Sequence, residues 1–198
     1  MREDIKKGEE IEPRPMPTIT PEMIRTALEL LEAKGLTYYT EKGVYIPTQK
    51  GWKLLMEIKP VKEEIIAYGH PNIRAKHETT FEITKEEEIG PEADCVIGVR
   101  ANKACEDLSD EMKQALKEGR KVEITLEVEG IEEKIVAYGS PALKLTHSKS
   151  MVVRKSDFID DRTLAILANK SASEISREII EKMKKPETRM KIILEIKG

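Results

Sequence analysis

Two stretches of this chain repeat one another in order. Ile66-Ala67-Tyr68-Gly69-His70-Pro71 returns as Val136-Ala137-Tyr138-Gly139-Ser140-Pro141, and Ala101-Asn102-Lys103 returns as Ala168-Asn169-Lys170. The β-prone run from Val122 to Glu127 returns from Met190 to Glu195, and all three matches fall at offsets of 67 to 70 residues. Two long copies predict an internally duplicated domain with a pseudo-two-fold axis, because a solenoid needs more and shorter repeats.

The rest of the chain sets the domain plan. Residues 1–19 carry charge and then Pro13, Pro15 and Pro17, each of which fixes φ and removes a backbone donor, so they read as an arm. Residues 20–60 predict a small helix-hairpin-helix cap. Thr20 is a capping residue and Pro21 suits the first helical position, while Met23, Ile24, Ala27, Leu28 and Leu31 share a face that Gly35 ends. Thr37–Thr40 and Val44–Ile46 flank a Gly-containing turn as a hairpin, and a short helix follows from Thr48 with Trp52 and Leu55 facing the first helix. Residues 61–198 then form the duplicated domain, with repeats at 61–130 and 131–198.

Each repeat reads strand, strand, strand, helix, strand. In the first these run Glu64–Tyr68, Ile73–Ile83, Cys95–Arg100, a helix over Ala104–Glu118, and Val122–Val128. In the second they run Lys134–Tyr138, Leu143–Val153, Leu164–Leu167, a helix over Ala172–Lys184, and Met190–Ile196. The fold class is α+β: mainly β, as a sandwich or barrel with two helices, preceded by the small N-terminal domain.

Composition narrows the function classes. The net charge of −3 supplies no global basic field for nucleic acid, so such binding would need a local patch. Charged residues make up 36% of the chain, with two Gln and three Asn, a profile of heat-adapted proteins. Cys95 and Cys105 are too few for a disulfide framework, and no apolar run is long enough to cross a bilayer, which predicts a cytoplasmic protein with no membrane association. A homo-oligomer stays open.

Helix, hairpin and the Thr48-Gln49-Lys50-Gly51 helix start resemble the back half of a winged helix, which raises nucleic acid as a partner. Ala67-Tyr68-Gly69-His70-Pro71-Asn72-Ile73, His77-Glu78-Thr79-Thr80 and Asp94-Cys95-Val96-Ile97-Gly98-Val99 resemble an uncharacterised archaeal family, domain of unknown function 371, over roughly residues 62–196. That resemblance implies a β-rich, jelly-roll-like fold and no established activity.

Comparing the repeats sorts fold requirements from specialisation. Both keep a tyrosine, glycine and proline at the strand end (Tyr68, Gly69, Pro71; Tyr138, Gly139, Pro141), which a fixed turn requires. Both also keep polar groups that packing does not demand: Arg74/Lys144, His77/His147, Asp94/Asp161 and the pairs Asn102-Lys103 and Asn169-Lys170. If a helix begins just after each Asn-Lys pair, its free N–H groups and positive dipole end favour an anion. Arg74, Asn102, Lys103, Lys144, His147, Asn169 and Lys170 are therefore the ligand-binding candidates, set against ordinary capping and solvated lysines. If the histidines meet at the axis, His77, His147, Asp94 and Asp161 can ligate a divalent metal.

His70, Asn72, Cys95 and Thr79-Thr80 occur in the first repeat alone, opposite Ser140, Ala142, Arg162 and Lys149-Ser150. Such asymmetry suits a specialised site, and His70, His77 and Asp94 are the catalytic candidates for metal-assisted hydrolysis or acid-base chemistry. Cys95 is a poor nucleophile, because neighbouring Asp94 raises a thiol pKa. Lys144, His147, Lys149, Arg154 and Lys155 lie in an acid-free stretch that could track a phosphate backbone, or pair with acids from other strands. The sequence names no cofactor. The reading it favours is a non-catalytic module that binds a small anionic or phosphate-bearing ligand near the pseudo-axis, with the enzyme and the nucleic-acid factor as alternatives.

Overall fold

A computed structural model describes residues 21–41, 43–51 and 60–197. The proline-bearing arm, the Thr20 cap, Lys42, and Trp52 and Leu55 lie outside the described residues. The chain divides into two compact units, Met1–Ile58 and Lys59–Gly198, each treated by itself.

In the first unit α1 spans Pro21–Ala33 and ends in the left-handed turn of Gly35 (φ 68°). Gly35 N donates to Glu32 O and Leu36 N to Leu31 O, satisfying carbonyls that the helix end leaves free. Strands β1 (Thr37–Tyr39) and β2 (Tyr45–Pro47) pair antiparallel, with the Tyr39 and Tyr45 rings 4.8 Å apart. Thr48 Oγ1 then accepts from Gly51 N at 3.1 Å, opening a helical turn at residues 49–51.

The second unit holds two four-stranded sheets. The first has the order β3-β10-β6-β7, from Val61–Tyr68, Arg189–Ile196, Lys121–Val128 and Ile131–Tyr138, and every pair is antiparallel. The second has the order β5-β4-β8-β9, from Val96–Gly98, Thr80–Thr84, Ser150–Arg154 and Thr163–Ala165. Its central pair is antiparallel and its two outer pairs are parallel, unlike the all-antiparallel jelly roll. Single bridges, Tyr68 to Val99 and Tyr138 to Ile166, join the sheet edges at two corners. The arrangement thus lies between the expected sandwich and barrel.

Strand alternation supplies the core. Ile65 and Ala67, Val122, Ile124 and Leu126, Ile135 and Ala137, and Ile192 and Leu194 turn inward from the first sheet, against Phe81, Ile83, Met151 and Val153 of the second. The repeats exchange strands: β3 pairs with β10 and β7 with β6, so each repeat's first strand lies on the other's last. The register pairs Thr125 with Ile193 and Glu82 with Val152, residues that hold matching places in the two sequence repeats.

Two features depart from the sequence-based expectation. The predicted strands Ile73–Ile83 and Leu143–Val153 shrink to β4 and β8, because Ala75 (φ 48°) and Leu145 (φ 55°) take the left-handed region, which breaks a ladder. Ile73, Ala75, Leu143 and Leu145 still alternate inward as a strand would, and that alternation imitates one. The predicted helices Ala104–Glu118 and Ala172–Lys184 each split. A 3-10 turn (Cys105–Asp107; Ala172–Glu174) precedes α2 (Asp110–Lys117) and α3 (Arg177–Met183). The break falls at Ser109 and Ser176, whose backbone N–H groups donate to the side chains of Glu63 and Glu133 rather than up a helix.

Gly69 and Gly139 are fixed by close approach. A Cβ on Gly69 would overlap the backbone oxygens of Met183 and Lys185, and one on Gly139 that of Leu116, so each repeat's turn seats against the other's helix end.

Candidate functional site

The Asn-Lys pairs carry the same contacts in both repeats. Asn102 Oδ1 accepts from Ile66 N and Asn169 Oδ1 from Val136 N, both at 2.9 Å, so each asparagine splints a strand edge. Lys103 Nζ lies 2.7 Å from Glu63 Oε1 and Lys170 Nζ 2.6 Å from Glu133 Oε1. The second oxygen of Glu63 accepts from Ser109 N (3.0 Å) and Ser109 Oγ (2.9 Å), and that of Glu133 from Ser176 N (2.6 Å). The anion expected beside each lysine and helix start is therefore a buried carboxylate of the protein itself. Sequence reasoning passed over Glu63 and Glu133, although they sit 70 residues apart and occupy the inward, otherwise apolar phase of their strands.

The histidines related by the repeat do not converge. His77 Nδ1 accepts from Thr80 N (3.2 Å) and His147 Nδ1 from Ser150 N (2.9 Å), each capping the start of a strand. In the β4–β8 register Thr80 faces Arg154 and Ser150 faces Thr84, so the capped starts stand at opposite ends of the ladder, about 13 Å apart along it. Asp94 pairs with Arg74 at 3.1 Å, and Asp161 O accepts from His147 N. Among the described residues no three His, Cys, Asp or Glu side chains group as a metal-binding set. No hydrogen bond or ion pair among them joins the side chains of His70, His77 and Asp94.

Cys95 and its counterpart Arg162 do meet, on Glu82 of the second sheet. Cys95 Sγ donates to Glu82 Oε2 at 3.4 Å, and Arg162 Nη1 lies 4.0 Å from the same oxygen. Burial, then the Glu82 charge, pushes the Cys95 thiol up to about 12, which leaves it protonated and unreactive at neutral pH. Asp160 collects Arg154 Nη2 (2.7 Å), Arg162 Nη2 (3.4 Å) and Thr163 Oγ1 (2.9 Å). Burial works to raise the Asp160 carboxyl, but these donors outweigh it and hold its pKa below the ordinary value. Of the basic stretch, Lys149, Arg154 and Lys155 pair with Glu86, Asp160 and Glu174. Lys144 is exposed and has no ion pair among the described residues.

His70 belongs to a cleft of about 370 Å³ lined by Gly69, His70, Pro71, Glu87, Glu88, Arg100 and Pro186. His70 is held at both ring nitrogens: Nδ1 accepts from Asn72 N (3.1 Å) and Nε2 lies 3.2 Å from Glu88 Oε2. Its side chain is 12% exposed, so the imidazole forms a fixed wall. Asn72 Nδ2 donates to Ile89 O at 2.8 Å and ties down the loop that carries Glu87 and Glu88. Arg100, at φ 50°, projects from the end of β5. Its guanidinium lies 4.8 Å over the Tyr68 ring and donates to Pro186 O. The sequence flagged His70 and Asn72 as peculiar to the first repeat. It did not flag Arg100, read as the last residue of the strand Cys95–Arg100, or Glu87 and Glu88 in the connection that precedes that strand.

The equivalent corner of the second repeat keeps the backbone and changes the chemistry. Leu167 has the same positive φ (52°) as Arg100, and Tyr138 makes the same bridge as Tyr68. Ser140 replaces His70, Phe158 replaces Glu88 and Leu167 replaces Arg100. Tyr138, Phe158 and Leu167 are 41%, 59% and 52% exposed, so this corner is apolar and open.

No helix among the described residues is long and apolar enough to cross a membrane. The family model described as Domain of unknown function (DUF371) matches residues 65–197. The uncharacterized protein MJ0206 of Methanocaldococcus jannaschii is 48% identical over 120 residues, which cover 61% of this chain and 89% of that protein.

Proposed function

The chain belongs to the family Domain of unknown function (DUF371), and from that premise we propose a non-catalytic binding module that takes a small ligand with an anionic group in the His70–Arg100 cleft. One observation carries the reading: two corners on one backbone plan differ at His70, Glu88 and Arg100, so the fold does not need these charged and polar groups. The guanidinium has five donors and spends one on Pro186 O, which leaves a fork for a carboxylate or phosphate. A cleft near 370 Å³ sits at the small end of ligand sites and suits a compact metabolite. Against an acid-base enzyme, His70, His77 and Asp94 each serve a separate partner, and the Cys95 thiol is held protonated.

The repeated contacts at Asn102 and Asn169 and at Glu63 and Glu133 support an origin by duplication. We propose residues 20–60 as a separate cap, resembling part of a winged helix. Nucleic acid is the weaker partner reading, since three of the five basic-stretch residues are already neutralised by acids. Exposed Lys144 stays available as an outlying cation, whereas half-buried Arg74 is paired with Asp94.

Native mass spectrometry of the purified chain beside Arg100→Leu tests the site. The expected result is a small-molecule adduct, co-purified or taken from a metabolite extract, that the wild type retains and the variant loses. Equal retention by the variant would overturn the assignment to this cleft.

A further inference from the structure

The lining of the same cleft specifies more than an anion. Resting on the proposed ligand site, we infer that the ligand is a zwitterion of amino-acid size, with a carboxylate or phosphate for Arg100 and an ammonium for Glu87 and Glu88. Two carboxylates and one guanidinium share this cleft with His70. A ligand bearing only negative charge gains Arg100 but is brought against both glutamates, and a ligand bearing only positive charge meets the converse. An ammonium and an acid group on one short frame answer both sets.

The available valences agree. Glu88 uses Oε2 on His70 Nε2 and has Oε1 free of hydrogen bonds among the described residues, while Glu87 makes no hydrogen bond or ion pair there. Arg100 is oriented by the Tyr68 ring and Pro186 O, and His70 by Asn72 N, so the guanidinium and the imidazole are held before a ligand arrives. The first-repeat loop supplies Glu88 where the second supplies Phe158, so a carboxylate at this position is not a folding requirement.

The test is an NMR titration of the full chain, following the His70 imidazole and Arg100 Nε signals. Glycine, serine and phosphoethanolamine are the zwitterionic probes, acetate and inorganic phosphate the anions, and ethylamine the cation. At least one zwitterion is expected to shift both signals and to bind at least tenfold more tightly than either single-charge class. Glu87→Gln with Glu88→Gln should bring zwitterion affinity down to the anion level without weakening the anions, and Arg100→Leu should abolish both. Thermal melts of each variant establish that it is folded. Acetate or phosphate matching every zwitterion, or the double glutamine variant binding zwitterions undiminished, overturns the zwitterion while sparing the anion site. Binding unaffected by Arg100→Leu, or no probe shifting either signal, overturns both.

Discussion

The corner at Tyr68 and the corner at Tyr138 share a bridge, a glycine seat and a left-handed residue, yet one ends in a His–Glu–Arg cleft and the other in an open Tyr–Phe–Leu surface. What the two have in common is therefore the frame, and what separates them is free to carry function. The frame comprises groups whose geometry the backbone dictates: Gly69 and Gly139 against helix ends, and Glu63 and Glu133 filling the space between a lysine and a serine N–H.

The hardest blow to that frame is Gly69→Ala or Gly139→Ala. The added methyl meets backbone oxygen, which cannot rotate away, so each should cost about 3 kcal/mol or more, measured by urea unfolding. A loss in one repeat alone would break the equivalence of the corners. Next, Glu63→Ala and Glu133→Ala should each cost about 3 kcal/mol, toward the low end for removing one partner of a buried ion pair because Lys103 and Lys170 keep partial access to water. Matching losses would sharpen the comparison; a neutral Glu133→Ala would mean that the second repeat does not need its bracket.

Acid should act on both repeats through a matched pair. The Ala104 N–H and the Lys85 ammonium hold the Asp107 carboxyl below its usual pKa, and Lys155 with Ser171 does the same for Glu174, 67 residues on. Depressed carboxylates stabilise the fold above their unfolded pKa, near 4, and lose that contribution as pH falls through the lower folded values. Melting temperature should therefore drop below about pH 4, and Asp107→Asn with Glu174→Gln should flatten that limb. An unchanged acid limb in the double variant would remove these carboxylates from the account.

A smaller effect is expected at the thiols. Burial pushes Cys95 and Cys105 up to about 12, so iodoacetamide at pH 8 should label the native protein far more slowly than the urea-unfolded chain. Smallest of all in stability is the exchange of corner chemistry: Phe158→Glu with Leu167→Arg, or His70→Ser with Arg100→Leu, should each stay within about 0.5 kcal/mol per position. The second exchange should nonetheless eliminate ligand binding. A large loss of melting temperature from either would return those side chains to the frame.

Much of the frame was legible because repetition exposes it. Tyr68-Gly69 and Asn102-Lys103 recur in letters, and the alternation of Ile65, Ala67, Ile124 and Leu126 predicts inward faces directly. The overlong strands arose because Ile73 and Ala75 alternate in burial without making a ladder. Glu63 was missed because a carboxylate among exposed charges reads as solvated until its phase along the strand is compared with Ile65 and Ala67. Arg100 and Glu88 were missed for a different reason. Their partners, Pro186 and His70, are brought near only by the fold, and a difference between repeats shows that a position has diverged without saying what it has moved toward.

The strand exchange also governs how the chain must be made. Val61 waits for Ile196 to complete its ladder, so when translation proceeds from the amino end the first long strand stays unpaired on its β10 side while both helices emerge. At ordinary synthesis speeds that interval is on the order of ten seconds. Contacts this distant along the chain give high contact order and slow closure. Meanwhile an unpaired strand edge is offered to any neighbouring chain, so nascent copies crowded on one message are the setting in which β3 would find the wrong partner.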